Sequence, residues 1–476
     1  MNMSRVERKI NNNKGEKRRM NKPSQSINTI GNNANKKETK AMQKMLPIML
    51  ITTLALSGLV SCDKKDSITD NNDDNNNSDV VELSGNISQN TTWTANKSYL
   101  MIGQTFVDSG VTLTIEAGTT IKSQADDGNG LAPALVIKRG AKIMATGTAA
   151  APITFTSNLP AAELPQRGTW GGLIILGKAP INQAGGQSFV EGLVGVPFGG
   201  NNADDNSGVL TYVRIWFGGR SIGQDNEING LTLGGVGRGT TIEHIEVAWN
   251  LDDGIEFFGG TVDIKYCSIL FVGDDAFDTD LGYTGRGQFL FAMVGSDDGN
   301  RGFEMDNDGH NMDATPRSKP QFMNVTMVGS GAGAAADNDQ LIRLREGTSA
   351  DFRNMVLVNS KEYGVNITNQ ASLDLIGNDL NFSSNNFVYN CPSGQFKGDL
   401  GLTAQNVDPQ LTAVNDHETG GVIDPRPASG SPALTAGETL PNDGFFTQVA
   451  YSGAFSDNIW FKDYSILKDM GRLPSN

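Results

Sequence analysis

Residues 252–306 read DDGIEFFGGTVDIKYCSILFVGDDAFDTDLGYTGRGQFLFAMVGSDDGNRGFEMD, and an acidic turn returns three times within them. The turns are Asp252-Asp253, Asp274-Asp275 and Asp297-Asp298, at spacings of 22 and 23 residues. A period of this size in a chain rich in Gly, Val, Ile, Thr and Asn marks a solenoid whose repeat is one coil. Each turn leads into a short alternating segment, at 254–258, 276–280 and 302–306, and the segments 341–345 (LIRLR) and 364–368 (GVNIT) fit the same template. Side chains alternate faces along a strand, so Ile255, Phe257, Phe277, Met305, Ile342, Leu344, Val365 and Ile367 are expected inside the coil. The outward positions then form one column of Glu256, Asp278, Glu304, Arg343 and Asn366, and a second of Phe258, Asp280, Asp306, Arg345 and Thr368. Strands in neighbouring coils lie about 4.8 Å apart, so acids scattered along the chain gather into one cluster. A slip of one residue would bury those charges, which specifies the register.

Working outward, the chain reads as strand after strand from about residue 82, with Gly, Asn and Asp at the corners and no strong amphipathic helix. Two long loops interrupt the pattern, at 180–208 and 307–320; the second follows Asp306 directly and is expected to lean over the acidic face. After about Cys391 the prolines 409, 425, 427, 432 and 441 break the chain into short pieces, suited to covering the open end of a last coil. The fold class expected is therefore all-β, a right-handed parallel β-helix over 82–390 with an N-terminal cap and a C-terminal capping region at 391–476.

Upstream, residues 1–44 are polar and basic, and 45–61 form the apolar run MLPIMLITTLALSGLVS, which reads as an export signal. Residues 62–81 form an acidic, Asn-rich spacer expected to be a disordered tether. The formal charge is −15, and residues 1–61 contribute 12 basic and three acidic residues, so the remainder is more acidic still. Such a balance argues against nucleic acid or anionic lipid headgroups as partners and favours cation binding or plain solubility. Three cysteines are too few for a disulfide framework. Cys267 lies in a strand run and is expected in the core; a bridge between Cys267 and Cys391 is left open.

Leu59-Val60-Ser61-Cys62 resembles the bacterial lipobox, which implies lipidation of Cys62 and an outer-membrane address. The acidic stretch after Cys62 resembles the surface-export signal of Bacteroidota lipoproteins. KRGAKIMATGTAAAPITFTS at 138–157 resembles the first coils of pectate-lyase-type β-helices, and DPRPASGSPALTAG at 424–437 resembles closing segments of bacterial β-helix surface proteins. Residues 82–476 as a whole resemble Bacteroidota surface lipoproteins with parallel β-helix domains. The Gly-His-Gly segment followed by an Arg-x-Lys strand, found in the hydrolases of this type, is absent.

Three kinds of chemistry suit the cluster. Ca²⁺ takes six to eight oxygens, and Asp252, Asp253, Asp274, Asp275, Asp278, Asp280, Glu304 and Asp306 offer carboxylates. Glycosidic cleavage needs two carboxyls about 5 Å or about 6.5–9.5 Å apart, and Asp278 is the expected acid, with Asp280 and Glu304 as partners and Arg343 on a substrate carboxylate. The plainest alternative is a salt-bridged, solvated sheet face. Glu256, Phe258, Asp306 and Arg345 are the expected ligand contacts, and Phe258 with Trp216 and Trp249 is a candidate sugar-stacking platform. The favoured expectation is a monomeric, lipid-anchored surface protein that binds an extracellular glycan with Ca²⁺. Its alternatives are a polysaccharide lyase or glycoside hydrolase, and a non-enzymatic adhesin or structural protein.

Overall fold

In a computed structural model, the residues described are 80–126, 131–190, 193, 195–220, 228–415 and 420–475. The leader, Cys62 and the tether lie outside them. The described residues fall in one unit, 74–476. Among the described residues, twenty-five strands join in one sheet wound into coils, and every pairing along it is parallel, as expected for a β-helix. No helix among the described residues is long and apolar enough to cross a membrane.

Each coil contributes to three parallel ladders. The first runs through Leu135–Ile137, Leu173–Leu176, Leu231–Gly234, Ile255–Phe258, Phe277–Asp280, Phe303–Met305, Gln340–Leu344 and Tyr363–Ile367. The other two are the front and back halves of long strands, among them Gly208–Trp216, Thr241–Ala248, Asp263–Leu270, Arg286–Met293 and Gln321–Val328. These strands bend sharply at Tyr212, His244, Tyr266, Phe289 and Asn324, whose φ angles are 52, 55, 56, 57 and 54°. A left-handed backbone is unfavourable for such residues, by about 1–2 kcal/mol each. The bend recurs at the same place in these five strands, and at four of them the side chains stack one above another. Tyr212 and His244 lie 4.2 Å apart at 4°, His244 and Tyr266 4.7 Å at 6°, and Tyr266 and Phe289 5.0 Å at 14°.

The coil interior holds all eight residues expected there, together with Phe303, Phe322 and Phe352, all buried. Cys267 belongs to this core, and Cys267 and Cys391 are both free thiols. The last coil is closed by Leu400, Leu402 and Ala404, which pack against the core beside the Phe387–Gln405 bridge.

The rest of the C-terminal section does something else. Phe455, Ile459, Phe461, Tyr464, Ile466 and Leu467 cover the outer side of the third ladder, against Trp216, Ala248, Leu270, Phe291 and Val328. Glu246 anchors it, accepting from the Trp216 indole at 3.0 Å and from the Ile466 amide at 2.8 Å. That outer side is apolar, and water-exposed it would forfeit about 25 cal/mol per Å². The section expected to cap the end thus mainly sheathes a flank.

Phe303 is fully buried and stacks on Phe322 at 4.4 Å and against Phe277 at 5.3 Å. Phe303→Ala is expected to lower the unfolding free energy by about 3–5 kcal/mol, read from denaturant titration. A loss below about 1 kcal/mol would show that the aromatic column is not what holds the middle coils.

Candidate functional site

The first ladder brings the acidic column into register. Thr232 pairs with Glu256, Glu256 with Asp278, Asp278 with Glu304, Glu304 with Arg343, and Arg343 with Asn366. The second column continues one residue past the strands. The Asp306 amide donates to the Thr279 carbonyl at 2.7 Å, Arg345 to Met305 at 2.9 Å, and Thr368 to Leu344 at 3.0 Å. Phe258 pairs with Asp280 at the upstream end of that column.

The turns before these strands stack too, but not as their spacing suggested. Gly230 donates to the Asp253 carbonyl, Gly254 to Asp275 and Ala276 to Arg301, each at 2.9 Å. Arg301 therefore stands where a third acid was expected. Asp297 and Asp298 leave the column and pair with Arg167, at 2.7 and 3.4 Å. The connection here is longer: 26 residues separate Asp275 from Arg301, against 22 between Asp253 and Asp275. Aligning GFEMD at 302–306 with AFDTD at 276–280, rather than turn with turn, identifies Arg301 as the missing member of the column.

Arg301 is 5 % exposed and lies 3.7 Å from Asp275 and 3.4 Å from Glu304. Its position divides the cluster. Downstream, Glu304 faces three guanidiniums, from Arg301, Arg343 and Arg345, at 3.4, 3.4 and 3.2 Å. Asp306 accepts from Arg345 Nε through both oxygens at 2.8 Å. Upstream stand Asp252, Asp253, Glu256, Asp274, Asp275 and Asp278. Carboxylate oxygens of Asp252, Asp253 and Asp274 lie within 4.8 Å of one another, and so do those of Asp253, Glu256 and Asp278. Amides temper part of this set: Asn229 donates to Glu256, and Asn300 to Asp274 at 2.7 Å.

Two like charges one rung apart repel by roughly 3–4 kcal/mol at an effective dielectric of 20. Burial and that repulsion together move the carboxyls. Asp253, Asp275 and Asp278 are pushed well above the ordinary aspartate range, by burial first and by neighbouring carboxylates second. Burial lifts Asp280 to about 7. Burial also lifts Asp306, to about 6, against the opposing pull of Arg345. Oδ1 of Asp275 and Oδ1 of Asp278 are buried without a hydrogen-bond partner.

The two long loops meet beside this face. Ile181, Val190, Leu193 and Phe198 pack on the apolar upstream half of the first ladder, over Val136, Ile174 and Leu176. Asn182 donates through Nδ2 to the Asn307 carbonyl at 2.9 Å and to its side-chain oxygen at 3.0 Å, and Gln183 donates to Asp308 at 3.0 Å. The Asn182 amide in turn donates to Leu281 at 3.0 Å. The joined loops thus wall the side where Asp280 lies, and the acidic turns border the other. Phe258 packs against Phe198 at 6.0 Å. Trp216 is buried on the third ladder beneath the C-terminal section, so Phe258, Trp216 and Trp249 do not form one platform.

A family model described as a pectate-lyase like beta helix domain matches residues 85–421. No curated protein and no solved structure gives a match.

The raised carboxyls carry a sign. The unfolded chain gives up these protons near pH 4, whereas the native chain holds them to higher pH, so the native state binds more protons between the two. Without divalent cation, stability is therefore expected to fall as pH rises from about 4 to about 7, and Asp253→Asn to flatten the slope. Denaturant midpoints in EDTA across that range measure it. Midpoints that climb with pH contradict the assignment.

Proposed function

The chain belongs to the pectate-lyase-like β-helix family, and from that premise we propose that it binds an acidic polysaccharide along the face of Glu256, Asp278 and Glu304, with Ca²⁺ held by the upstream carboxylates. The observation that carries this reading is the division of the face by Arg301. Upstream, six carboxylates crowd together with Arg301 beside Asp275, while downstream Arg343 and Arg345 lie beside Glu304 and Asp306. Hard oxygen donors at this density suit Ca²⁺, and the partnerless buried oxygen of Asp278 is what a coordinated cation would satisfy. Asp252, Asp253, Glu256, Asp274 and Asp278 would hold it. The cation would supply positive charge for a ligand carboxylate. Arg343 and Arg345, 28 and 31 % exposed, would hold a neighbouring one. The export signal and Cys62 read from the sequence would tether this face outside the cell.

A second reading, cleavage of the same polymer, is favoured by one observation. Burial brings Asp280 to about 7, which keeps it partly protonated at neutral pH, as a general acid requires. It stands two residues from Asp278 on the same side of the strand, against the loop wall.

Calorimetric titration of the folded chain with CaCl₂ is expected to show binding, weakened about tenfold or more by Asp253→Asn or Asp278→Asn. Polygalacturonate and alginate should be retained in Ca²⁺ and released by EDTA. Absence of Ca²⁺ binding, or retention indifferent to EDTA, would sink the cation-bridged reading. Reducing-end or unsaturated products that vanish in Asp280→Asn would establish turnover; none from any uronate polymer removes the second reading for those substrates.

A further inference from the structure

We infer that a polar cavity at the corner between the first and second ladders is an oxyanion subsite that works without a metal ion. The group it takes is the carboxylate or sulfate ester of an acidic sugar, so the inference rests on the reading of the ligand as an acidic polysaccharide. The cavity, about 320 Å³, is lined by Thr261, Thr284 and Lys319, by Asp263, Arg286 and Gln321, and by Arg238 and Asp443.

Two stacked columns build it. At the corner the Thr284 amide donates to the Gly260 carbonyl at 3.0 Å and the Lys319 amide to the Tyr283 carbonyl at 2.9 Å. Thr261, Thr284 and Lys319 therefore follow one another from coil to coil. On the second ladder Arg286 pairs with Gln321, and Asp263 precedes the pair of Ile264 with Gly287, so Asp263, Arg286 and Gln321 are also successive rungs. Arg238 is tied to the same corner, its amide donating to the Thr261 hydroxyl oxygen at 3.1 Å. The register that gathers acids on the first ladder gathers donors here.

The acids that line the cavity are already engaged. Asp263 accepts from the Arg286 amide at 2.9 Å, from its Nε at 3.0 Å and from its Nη2 at 2.5 Å. Asp443 accepts from Arg286 Nη1 at 2.7 Å through one oxygen, and from the Phe445 and Phe446 amides at 3.0 and 3.5 Å through the other. The donors are not used up. Lys319 meets Asp379 at 2.6 Å and Arg238 lies 3.6 Å from Asp204, and those two acids are 52 and 80 % exposed. An ammonium or a guanidinium carries more N–H bonds than one such contact takes. Pairs between solvated side chains hold weakly, so a ligand oxyanion competes for both cations at once. The Thr284 hydroxyl, with one long bond of 3.4 Å to Gly260, and the Gln321 amide add neutral donors beside them. Spent acceptors and spare donors select a carboxylate or sulfate over a neutral sugar.

The corner also joins this cavity to the acidic face. Thr284 follows Asp280 by four residues on one coil, a span of at most about 14 Å. Lys319 belongs to the loop that walls the face on that side. One glycan with several anionic groups can therefore reach both places. A few charge-assisted bonds at a solvated site give a Kd on the order of 1 mM. The subsite thus orients a ligand and does not retain a polymer once EDTA removes the metal.

The test is ligand-observed NMR on the folded chain in EDTA at low salt, with galacturonate, a sulfated galactose and neutral methyl galactoside as probes. At least one anionic sugar is expected to bind and the neutral one not to, with affinity falling about fivefold or more in Arg238→Gln and in Lys319→Gln. Asp379→Asn frees Lys319 and is expected to raise affinity about twofold, which a merely structural role for these side chains would not do. Both cations are half-exposed, so neither substitution threatens the fold. If neither anionic sugar binds, if the neutral one binds equally, or if binding survives both substitutions, the subsite is wrong. Ca²⁺ titration of Lys319→Gln separates the two proposals. Its Ca²⁺ affinity should be unchanged, so this subsite can fail while the metal reading stands, and the reverse.

Discussion

Everything in this chain depends on the parallel register between successive coils. Each strand hands its backbone bonds to the strand one coil on, so a side chain's place in one coil fixes its neighbours in the next. Inside, that constraint makes continuous columns: Ile255, Phe277, Phe303, Ile342 and Val365 occupy the same position in five successive coils. Outside, the same bonds make Glu256, Asp278 and Glu304 neighbours although 48 residues separate the first from the last. The core and the site are two sides of one set of hydrogen bonds. Neither can shift without the other.

A column of acids would be unstable if register were its only feature. The chain relieves it unevenly. Where Arg301, Arg343 and Arg345 stand, the carboxylates are hydrogen-bonded and charge-balanced. Upstream, protons do that work in the absence of a cation, which is why burial and mutual repulsion raise Asp253, Asp275 and Asp278 together. One buried arginine thus marks the boundary between a half of closely packed carboxyls and a half whose carboxylates lie beside guanidiniums. Removing a partner from a buried ionic pair is costly because it leaves an uncompensated charge. Arg301 belongs to that class.

Much of this was legible from residues alone because period and alternation are local signals. Strands expected at 254–258, 276–280 and 302–306 appear at Ile255–Phe258, Phe277–Asp280 and Phe303–Met305. What misled was the reliance on turns to keep the count. Asp297-Asp298 repeats the composition of its predecessors but sits in a lengthened connection, and only the strand that follows restores the register. The sheathed flank was missed for a different reason. Apolar runs such as FLFAMV at 289–294 do not alternate, and a run without alternation marks a strand buried on both faces. It does not say what covers the second face. The joining of the two long loops through Asn182 and Asn307 left no periodic signal at all.

The three ladders show why one face stays open. The outer side of the third ladder is built from Trp216, Ala248, Leu270, Met293 and Val328, and the chain's own C-terminal section lies on it. The upstream part of the first ladder is similarly apolar and is covered by the loop that carries Phe198. From Glu256 onward the outward residues are charged, and covering them would strip water from carboxylates and guanidiniums that only a matched ligand can replace. The wall stops beside them. A single coil geometry therefore yields apolar faces that the chain's own segments sheathe and a charged face whose buried and half-buried carboxylates and guanidiniums pack against one another.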